Sequence, residues 1–226
     1  MSSLGQSIGM IRAVLLDLYD TLVCANWHHV VGDMVTRLGI DERTLLGAFE
    51  ATREGRGTGR FRSVKGDIRA VMVALGLPRD DDARVSEIEA GLIRRLSTEL
   101  RVYDDAPRFL AALRRRGLRS AVVSNCDHAT RAVLDHIAIP LDVDTTVLSC
   151  EVGSLKPGAG IFQHALAAVG ARPEEAIFID DQARYLDGAR ALGIQTRHIL
   201  REESYGEPSE SGSHEIVRSL DELLVG

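Results

Sequence analysis

The fold is decided by the stretch Ile11-Arg12-Ala13-Val14-Leu15-Leu16-Asp17. Its apolar, partly β-branched residues predict a short strand that is buried on both faces of a sheet. Strands of this kind occur in parallel sheets that carry helices on both sides, and here an acidic residue follows the strand directly. Because ligands bind beyond the carboxyl ends of the strands in such sheets, the residues after each strand are the first candidates for a functional site.

Strands and helices alternate in the second half of the chain. Apolar runs predict further strands at residues 120–123, 145–148, 176–179 and 194–196. Helical periods lie between these strands, at residues 107–116, 129–137 and 159–169 and in a segment that ends at Leu192. This alternation predicts an α/β fold with a doubly wound parallel sheet. Residues 204–214 are polar and predict a loop, and residues 216–224 predict a closing helix.

A helical block interrupts this pattern after the first strand. Helical periods are found near residues 28–38, 41–54, 65–76 and 83–99, and the basic, glycine-punctuated segment 53–62 predicts a loop between the second and third of them. We therefore expect an α/β core made of residues 10–22 and 102–226, and an inserted helical domain made of residues 23–101.

Charge and composition exclude several classes of protein. The 226 residues carry a formal net charge of −6, which argues against a nucleic-acid partner because phosphate binding needs a basic face. No apolar run is long enough to span a membrane, and residues 1–7 lack the pattern of a signal peptide. Three scattered cysteines are typical of reduced thiols, so we expect a cytoplasmic protein without membrane partners.

Chemically useful side chains follow four of the predicted strands. They are found in the segments Asp17-Leu18-Tyr19-Asp20-Thr21, Ser124-Asn125, Lys156-Pro157 and Asp180-Asp181. A carboxylate can act as a nucleophile, and a nearby lysine can neutralise the charge that develops on a phosphoryl group. Hydroxyl and amide groups can bind oxygens of a substrate, and paired acids suit Mg²⁺. Each segment alone is as well explained by a turn or a helix cap, so the prediction depends on all four occurring in order.

These ordered segments resemble the haloacid dehalogenase-like superfamily of hydrolases. The matching motifs are Asp17-x-x-x-Thr21-Leu22, Ser124-Asn125, Lys156-Pro157 and Asp180-Asp181 followed by Gly188-Ala189-Arg190-x-x-Gly193. The resemblance extends from about Ile11 to Gly193 and implies a Rossmann-like core. It also implies that the helical block is that family's small helical cap. Most members of that family are Mg²⁺-dependent phosphatases that work through an aspartyl-phosphate, and a minority are metal-free dehalogenases.

The resemblance assigns a role to each motif residue. Asp17 would be the nucleophile and Lys156 would stabilise its charge. Thr21 would support the nucleophile's loop, and it would bind the phosphoryl group together with the pair Ser124 and Asn125. Mg²⁺ would be held by Asp17, by the backbone carbonyl of Tyr19 and by the pair Asp180 and Asp181, with Asp181 the firmer assignment of that pair.

Two departures from the family pattern leave the chemistry open. Phosphatases of the family carry a second Asp two residues after the nucleophile, as an acid and base, and this chain has Tyr19 there, as dehalogenases do. If the segment is extended, Asp20 points away from that position. The pair Asp180 and Asp181 favours the phosphatases, because dehalogenases tend to carry Ser-Ser-Asn at this motif. Tyr185 stands where their water-positioning Asp would fall.

We therefore expect a Mg²⁺-dependent phosphatase first, with two alternatives. One is a dehalogenase-like hydrolase of carbon–halogen bonds, and the other is a weakly active or non-catalytic binding protein. The substrate would be a small phosphorylated metabolite, such as a sugar phosphate, gripped by Arg56 or Arg60 of the segment 53–62. The protein would be a monomer or a homodimer.

Overall fold

A parallel sheet forms the centre of the protein, which we describe from a computed structural model covering residues 11–136, 141–202 and 212–224. Its strands are β1 (Ala13–Leu16), β4 (Arg119–Ser124), β5 (Thr145–Leu148), β6 (Ala176–Asp180), β7 (Gln195–Ile199) and β8 (Glu215–Val217). They lie in the order β5-β4-β1-β6-β7-β8, and every neighbouring pair is parallel. This is the predicted doubly wound α/β fold.

Helices account for most of the remaining described chain. Four of them follow the first strand: α1 (Trp27–Leu38), α2 (Glu42–Gly57), α3 (Val64–Ala74) and α4 (Asp82–Glu99). The others alternate with the sheet strands: α5 (Asp105–Arg115), α6 (His128–His136), α7 (Ser149–Val152), α8 (Ala159–Val169) and α9 (Ala183–Ala191). The block α1–α4 lies where the helical insertion was expected. The division of the chain into two domains at residues 23 and 101 stays a prediction.

Both faces of the central strand are buried. Val14 and Leu16 face one side, where they belong to a core that continues into helices α1–α4. Ala13 and Leu15 face the other side and pack in a second cluster, which contains Phe162 of α8. Successive strand side chains point to opposite faces, so an uninterrupted apolar run is what a sheet covered on both sides requires.

The strand order brings three chain segments to one point. Leu16 is in register with Val122 of β4 and with Ile179 of β6. The residues that follow these positions therefore emerge side by side at the carboxyl edge of the sheet. Asp17 extends this register by one hydrogen bond, from its backbone N–H to the carbonyl of Ile179 at 2.9 Å.

The prediction of a loop over residues 53–62 is partly wrong. Helix α2 continues to Gly57, and only the residues after it form a turn. The side chain of Arg56 helps to hold this last part of the helix, since its Nε donates to Thr52 Oγ1 at 3.1 Å. Gly59 lies in this turn, where its φ is +69° and an added Cβ would lie 1.8 Å from the carbonyl oxygen of Cys150. Glycine is required at this position by its backbone angle and by the close approach to the core.

The predicted closing helix at residues 216–224 is wrong. The backbone there forms β8, which pairs with β7, and a short 3₁₀ helix at Leu220–Leu223. Val217 is buried while Ile216 is 42% exposed, which is the alternation of a strand at the edge of a sheet. A short apolar segment fits either period, and pairing with β7 decides it here. Of the loop predicted at residues 204–214, residues 204–211 lie outside the described residues.

A two-stranded antiparallel ribbon, missed in the sequence, joins the helical block to the sheet. It consists of β2 (Val23–Ala25) and β3 (Leu100–Val102), with Cys24 opposite Arg101. Three-residue strands are too short to show a period of their own. The ribbon brings the two ends of the helical block together next to the segment that follows Asp17.

A buried ion pair anchors the chain just after this ribbon. Arg201 Nη1 and Nη2 lie 2.6 and 2.9 Å from the carboxylate of Asp105, and Arg201 Nη2 also donates to the carbonyl of Thr21 at 2.6 Å. The same carboxylate accepts from Ser219 Oγ and from the backbone N–H of Leu220. Burial would raise the pKa of Asp105, but these hydrogen bonds and the charge of Arg201 outweigh it and hold the pKa below its ordinary value.

We expect Asp105→Asn to lower the free energy of unfolding by about 3 kcal/mol at pH 7, because it leaves the buried Arg201 without its counter-charge. Since the folded-state pKa of Asp105 is lowered, its contribution is present above the unfolded pKa of about 4 and is lost as the pH falls through the folded value. Chemical denaturation of both proteins over a pH series measures this difference.

The matched control is Asp221→Asn, which breaks the exposed pair with Arg108 at 2.7 Å. Exposed pairs contribute little, so this variant should unfold close to the parent protein. An Asp105→Asn protein as stable as the control at pH 7 would contradict the anchoring role.

Candidate active site

A lysine between two carboxylates forms the centre of the site. Lys156 Nζ lies 2.7 Å from Asp17 Oδ1 and 2.7 Å from Asp180 Oδ2. Lys156 is 3% exposed and Asp180 is fully buried. Burial lowers the pKa of Lys156, but the charges and hydrogen bonds of the two carboxylates outweigh it and raise the pKa above its ordinary value. Lys156 is therefore an ammonium ion that neutralises part of the negative charge at Asp17.

The segment after β4 holds the backbone of this lysine in place. Asn125 Nδ2 donates to the carbonyl of Lys156 at 2.9 Å, and the backbone N–H of Lys156 donates to Asn125 Oδ1 at 2.7 Å. One amide N–H of Asn125 is left for another acceptor. Close packing adds to this support, because a Cβ at Gly188 would lie 2.4 Å from the carbonyl oxygen of Pro157. Two of the motifs thus support each other directly.

Three carboxylates meet at the carboxyl edge of the sheet. Asp17, Asp180 and Asp181 each offer an oxygen, and these oxygens lie within 4.8 Å of one another. Carboxylate oxygens are the ligands that Mg²⁺ prefers, so the donor set fits that ion. Burial, and then the charge of Asp17, raise the pKa of Asp181 to about 6, and a cation bound here would favour its ionised form.

Neighbouring residues orient the two acids at the carboxyl end of β6. Gln182 Nε2 donates to Asp181 Oδ2 at 2.7 Å, and the backbone N–H of Gln182 donates to Asp180 Oδ1 at 2.7 Å. His198 Nε2, from the next strand, lies 2.8 Å from the carbonyl oxygen of Asp181. These contacts fix both carboxylates and the backbone of Asp181 next to Asp17.

The remaining motif hydroxyls are buried beside this cluster. Thr21 is fully buried, and its Oγ1 has no hydrogen-bond partner among the described residues. Ser124 is 1% exposed at the end of β4, next to the strand that carries Asp17. Their assigned part in binding a phosphoryl group stays a prediction.

The side chain of Tyr19 contacts residues outside the carboxylate cluster. Its hydroxyl forms a hydrogen bond of 3.1 Å with Thr130 Oγ1 of α6, and its ring lies 5.1 Å from the ring of Trp27. Burial raises the pKa of Tyr19 above its ordinary value of 10, so its hydroxyl is a poor base at neutral pH. Asp20 adopts φ +54°, so the segment is not extended there, and the charge of Asp20 is among the causes that raise the pKa of Asp181.

A cavity of about 550 Å³ separates the core from the helical block. On the core side it is bordered by Asn125 and Lys156, and on the helical side mainly by apolar side chains. This volume lies within the range typical of small-molecule sites.

The arginines expected to bind substrate are placed differently from one another. Arg56 lines the cavity, but its Nη1 pairs with Asp127 Oδ2 at 2.6 Å and its Nη2 donates to the carbonyl of Phe49 at 3.2 Å. Arg60 is exposed and is not among the described residues that line the cavity. Arg53 is exposed and does line it. Because Arg56 pairs with Asp127, it joins the helical block to the segment after β4.

Sequence reasoning missed three contacts made by the segment that follows β4, two of them with the helical block. Asp127 pairs with Arg56, Thr130 holds Tyr19, and Asp67 of α3 accepts from the backbone N–H of His128 at 3.2 Å. The sequence did indicate one of these positions, because Asp127 stands just before a predicted helix, where an acid commonly caps the helix N-terminus. No pattern in the sequence indicated which residues of the helical block would contact the segment after β4.

Comparisons with known proteins agree with this arrangement. A model of the haloacid dehalogenase-like hydrolase family matches residues 11–193. The chain is 26% identical over 221 residues to (S)-2-haloacid dehalogenase 1 of Pseudomonas sp. (strain CBS-3), covering 94% of this chain and 95% of that protein. It is 35% identical over 102 residues to phosphoserine phosphatase of Thermus thermophilus, covering 44% of this chain and 41% of that protein.

Two further likenesses extend over most of the chain. Acyl-CoA dehydrogenase family member 10 of Mus musculus is 30% identical over 200 residues, which cover 85% of this chain but only 18% of that protein. The crystal structure of a phosphatase from Thermococcus onnurineus superimposes with a TM-score of 0.67 at 23% identity, covering 94% of this chain and 96% of that one. This structural likeness concerns the fold.

The family match and the site agree with each other. The matched residues 11–193 contain the lysine, the three carboxylates and the helical block. They make up well over half of the 226 residues. The protein therefore belongs to the haloacid dehalogenase-like hydrolases.

Proposed function

We propose that this hydrolase is a Mg²⁺-dependent phosphatase that acts on a small phosphorylated metabolite through an aspartyl-phosphate. The observation that carries the proposal is the cluster of Asp17, Asp180 and Asp181 around Lys156. When all are ionised, three carboxylates and one ammonium carry two net negative charges, which would repel an anionic substrate. These carboxylates would hold a divalent cation, which would balance that charge and attract phosphate oxygens.

The chain's own residues support a covalent route. A carboxylate oxygen of Asp17 attacks phosphorus, the bond from phosphorus to the ester oxygen breaks, and the leaving oxygen takes a proton from solvent water to depart as the alcohol. Lys156 stabilises the negative charge shared between Asp17 and the phosphoryl group. When bound, Mg²⁺ would supply charge neutralisation. Water then attacks the aspartyl-phosphate, which releases inorganic phosphate and restores Asp17.

Binding of the phosphoryl group falls to the two predicted segments nearby. Ser124 and Thr21 offer buried hydroxyls, and Asn125 offers the amide N–H that Lys156 does not use. Asp17 and Asp181, with Asp180 and the backbone carbonyl of Tyr19, would hold the metal. Water would complete the coordination, as Mg²⁺ usually requires.

The proposed mechanism lacks an efficient proton donor and acceptor at position 19. Tyr19 has its hydroxyl on Thr130 and a raised pKa, so it neither protonates the leaving oxygen nor activates water efficiently. We therefore propose a slow phosphatase, in which the leaving group's own acidity strongly affects the rate.

A dehalogenase is the second candidate, and two observations favour it. The Pseudomonas haloacid dehalogenase is matched over 95% of its length, and Tyr19 stands where the acid and base of a phosphatase would be. In such an enzyme Asp17 would attack carbon and displace halide, without a metal. A protein that binds Mg²⁺ and phosphorylated ligands but releases neither phosphate nor halide would be the third, non-catalytic alternative.

We also propose a cellular location and a class of partner for this hydrolase. No helix in the described part of the chain has the length and apolar character to cross a membrane, and the substrate is a small molecule rather than a nucleic acid. Cys24, Cys126 and Cys150 form no disulfide in the described part of the chain, as suits a reducing cytoplasm. The protein would act as a monomer or a homodimer.

Asp17→Asn should abolish turnover, because an amide is a poor nucleophile and a weaker metal ligand. The change is nearly isosteric, so circular dichroism should show the parent fold. Phosphate release from p-nitrophenyl phosphate and halide release from 2-chloropropionate measure both candidate activities. Asp142→Asn, which breaks an exposed ion pair with Arg114, is the matched control and should remain active. Full activity of the Asp17→Asn protein would refute the covalent route.

Asp181→Asn should weaken Mg²⁺ binding by about tenfold or more, since even outer residues of metal sites cost that much. Isothermal titration with MgCl₂ measures the affinity directly, and EDTA should stop phosphate release by the parent protein. Phosphate release that continues unchanged in EDTA would contradict the metal assignment. Halide release that is indifferent to EDTA would favour the dehalogenase.

Tyr19→Asp should raise turnover of a phosphate ester by about tenfold or more, because it restores a carboxylate where acid–base catalysis is needed. The gain should be larger for an alkyl phosphate than for an aryl phosphate, whose leaving group needs little protonation. Burst and steady-state kinetics on both esters separate formation from breakdown of the aspartyl-phosphate.

Tyr19→Phe is the matched control for this variant. It removes the hydrogen bond to Thr130 and adds no acid, so it should give no gain. If Tyr19→Asp binds Mg²⁺ and is no faster than the parent, proton transfer at this position does not limit the rate.

A further inference from the structure

The helical wall of the active-site cavity consists mainly of apolar side chains. Among the described residues of α1–α4 that line this cavity of about 550 Å³, only Arg53, Arg56 and Asp67 are charged. All four helices contribute apolar side chains, which include Trp27, Met34, Phe49, Ile68, Val71 and Leu96. Lys156 and Asn125 line the same cavity from the core. A ligand that reaches Lys156 therefore places its carbon body against hydrophobic surface.

The guanidinium of Arg56 is occupied by contacts within the protein. Its Nη1 donates to Asp127 Oδ2 at 2.6 Å, its Nε to Thr52 Oγ1 at 3.1 Å and its Nη2 to the carbonyl of Phe49 at 3.2 Å. Its Cζ also lies 5.0 Å from the centre of the Phe49 ring. All three nitrogens thus have a partner before any ligand binds, so Arg56 acts as part of the wall.

Asp67 is likewise turned toward the protein. It is 4% exposed, and its Oδ2 lies 2.8 Å from His128 Nδ1 and 3.2 Å from the backbone N–H of His128. Its Oδ1 is buried, so it is closed to a ligand in the cavity. On the core side, Thr130 Oγ1 forms a hydrogen bond of 3.1 Å with the hydroxyl of Tyr19. These polar side chains satisfy one another across the cavity wall and leave little for a polar ligand.

Two arginines on the solvent side complete the charged lining. Arg53 is exposed beside Glu50 at 3.5 Å, and Arg184 is exposed with its Nη2 donating to the hydroxyl of Tyr185 at 2.9 Å. Because both side chains remain accessible to water, they do not make the interior of the cavity polar. A hydroxyl group buried in that interior would lose its hydration without gaining a partner, which is unfavourable for each such group.

We infer that the substrate is a phosphomonoester of an apolar alcohol, with an alkyl or aryl body that carries no polar group, rather than a sugar phosphate. The phosphate group of this substrate rests on the proposed function, and its apolar body rests on the helical wall alone. Lys156 and its neighbours hold the phosphoryl end. Helices α1–α4 select the body by removing its apolar surface from water, a gain that grows with each methylene buried.

A series of phosphonates, which are not hydrolysed, tests the wall directly. Methyl-, butyl- and heptylphosphonate are titrated calorimetrically into the Mg²⁺-loaded protein. The polar comparison is 2-(2-methoxyethoxy)ethylphosphonate, which has the chain length of heptylphosphonate but ether oxygens in place of two methylenes. The corresponding phosphate esters give kcat/KM by phosphate release.

We expect affinity to rise about threefold for each methylene until the wall is covered. The ether-containing ligand should bind about tenfold or more weakly than heptylphosphonate, because its oxygens lose hydration against apolar side chains. Methylphosphonate reports on the catalytic end alone. The ratio of heptylphosphonate to methylphosphonate affinity is therefore the readout of the wall.

Met34→Gln tests one position of the wall, since Met34 is 4% exposed and lines the cavity. The amide should lower the heptyl-to-methyl ratio by about tenfold, because it replaces apolar surface by a group of similar length that needs hydrogen bonds. Met34→Leu is the matched control, since it conserves volume and apolar character, and it should keep the ratio. A general loss of structure would weaken both phosphonates alike and leave the ratio unchanged.

The outcomes separate this inference from the proposed function. Equal affinity along the parent series, an ether-containing ligand that binds as tightly as heptylphosphonate, or no binding of any phosphonate would overturn the apolar body, even if Met34→Gln fails to fold. A ratio that a folded Met34→Gln protein retains would overturn it too. Phosphate release without methylene increments would leave the proposed function standing and remove this inference. Increments in binding without phosphate release would do the reverse.

Discussion

The buried contact of Lys156 with Asp17 and Asp180 is the constraint that organises the rest of the structure. An ammonium ion that is 3% exposed is tolerated only where carboxylates meet it at hydrogen-bond distance, and here they come from two neighbouring strands. A slip of one residue in either strand would turn its carboxylate to the other side of the sheet. The register of β1 against β6 is therefore required by the site as well as by the core. The side-chain amide of Asn125 fixes the backbone of Lys156 through two further hydrogen bonds.

The sheet was readable from the sequence because its strands are buried on both faces. Ala13–Leu16 is apolar throughout, and Ala176–Asp180 is apolar up to its last residue. The length and the end of each strand can therefore be read from the sequence. The segment 216–224 carries no such signal, and only pairing with β7 makes a strand of it. Helix α2 outlasts its predicted end because the side chain of Arg56 bonds back to Thr52, a contact that propensity does not record.

The residues of the candidate site also fall into a part that the sequence predicts and a part that it does not. Residues that follow strands were predictable, because the topology of a parallel sheet brings strand ends together whatever the loops do. Residues of the helical block were not, because their place depends on how helices pack on the core. Arg56 was expected to grip substrate, yet it pairs with Asp127, while Asp67 faces the cavity at a position no motif marks. Tyr19 could be singled out from its place in the motif, but its partner Thr130 could not.

The contact between Asp67 and His128 also joins two helices that lie far apart along the chain. A carboxylate that accepts from a first N–H group of a helix stabilises that helix, and α6 receives this stabilisation from α3. Asp127 supplies a second contact of this kind, since its Oδ1 accepts from the backbone N–H of Ala129 at 3.1 Å. Thr130, which bonds to Tyr19, lies in the same first turn. Moving α3 away from the core would therefore cost α6 one of the two carboxylates that stabilise its first turn, and opening the cavity on this side carries that energetic cost.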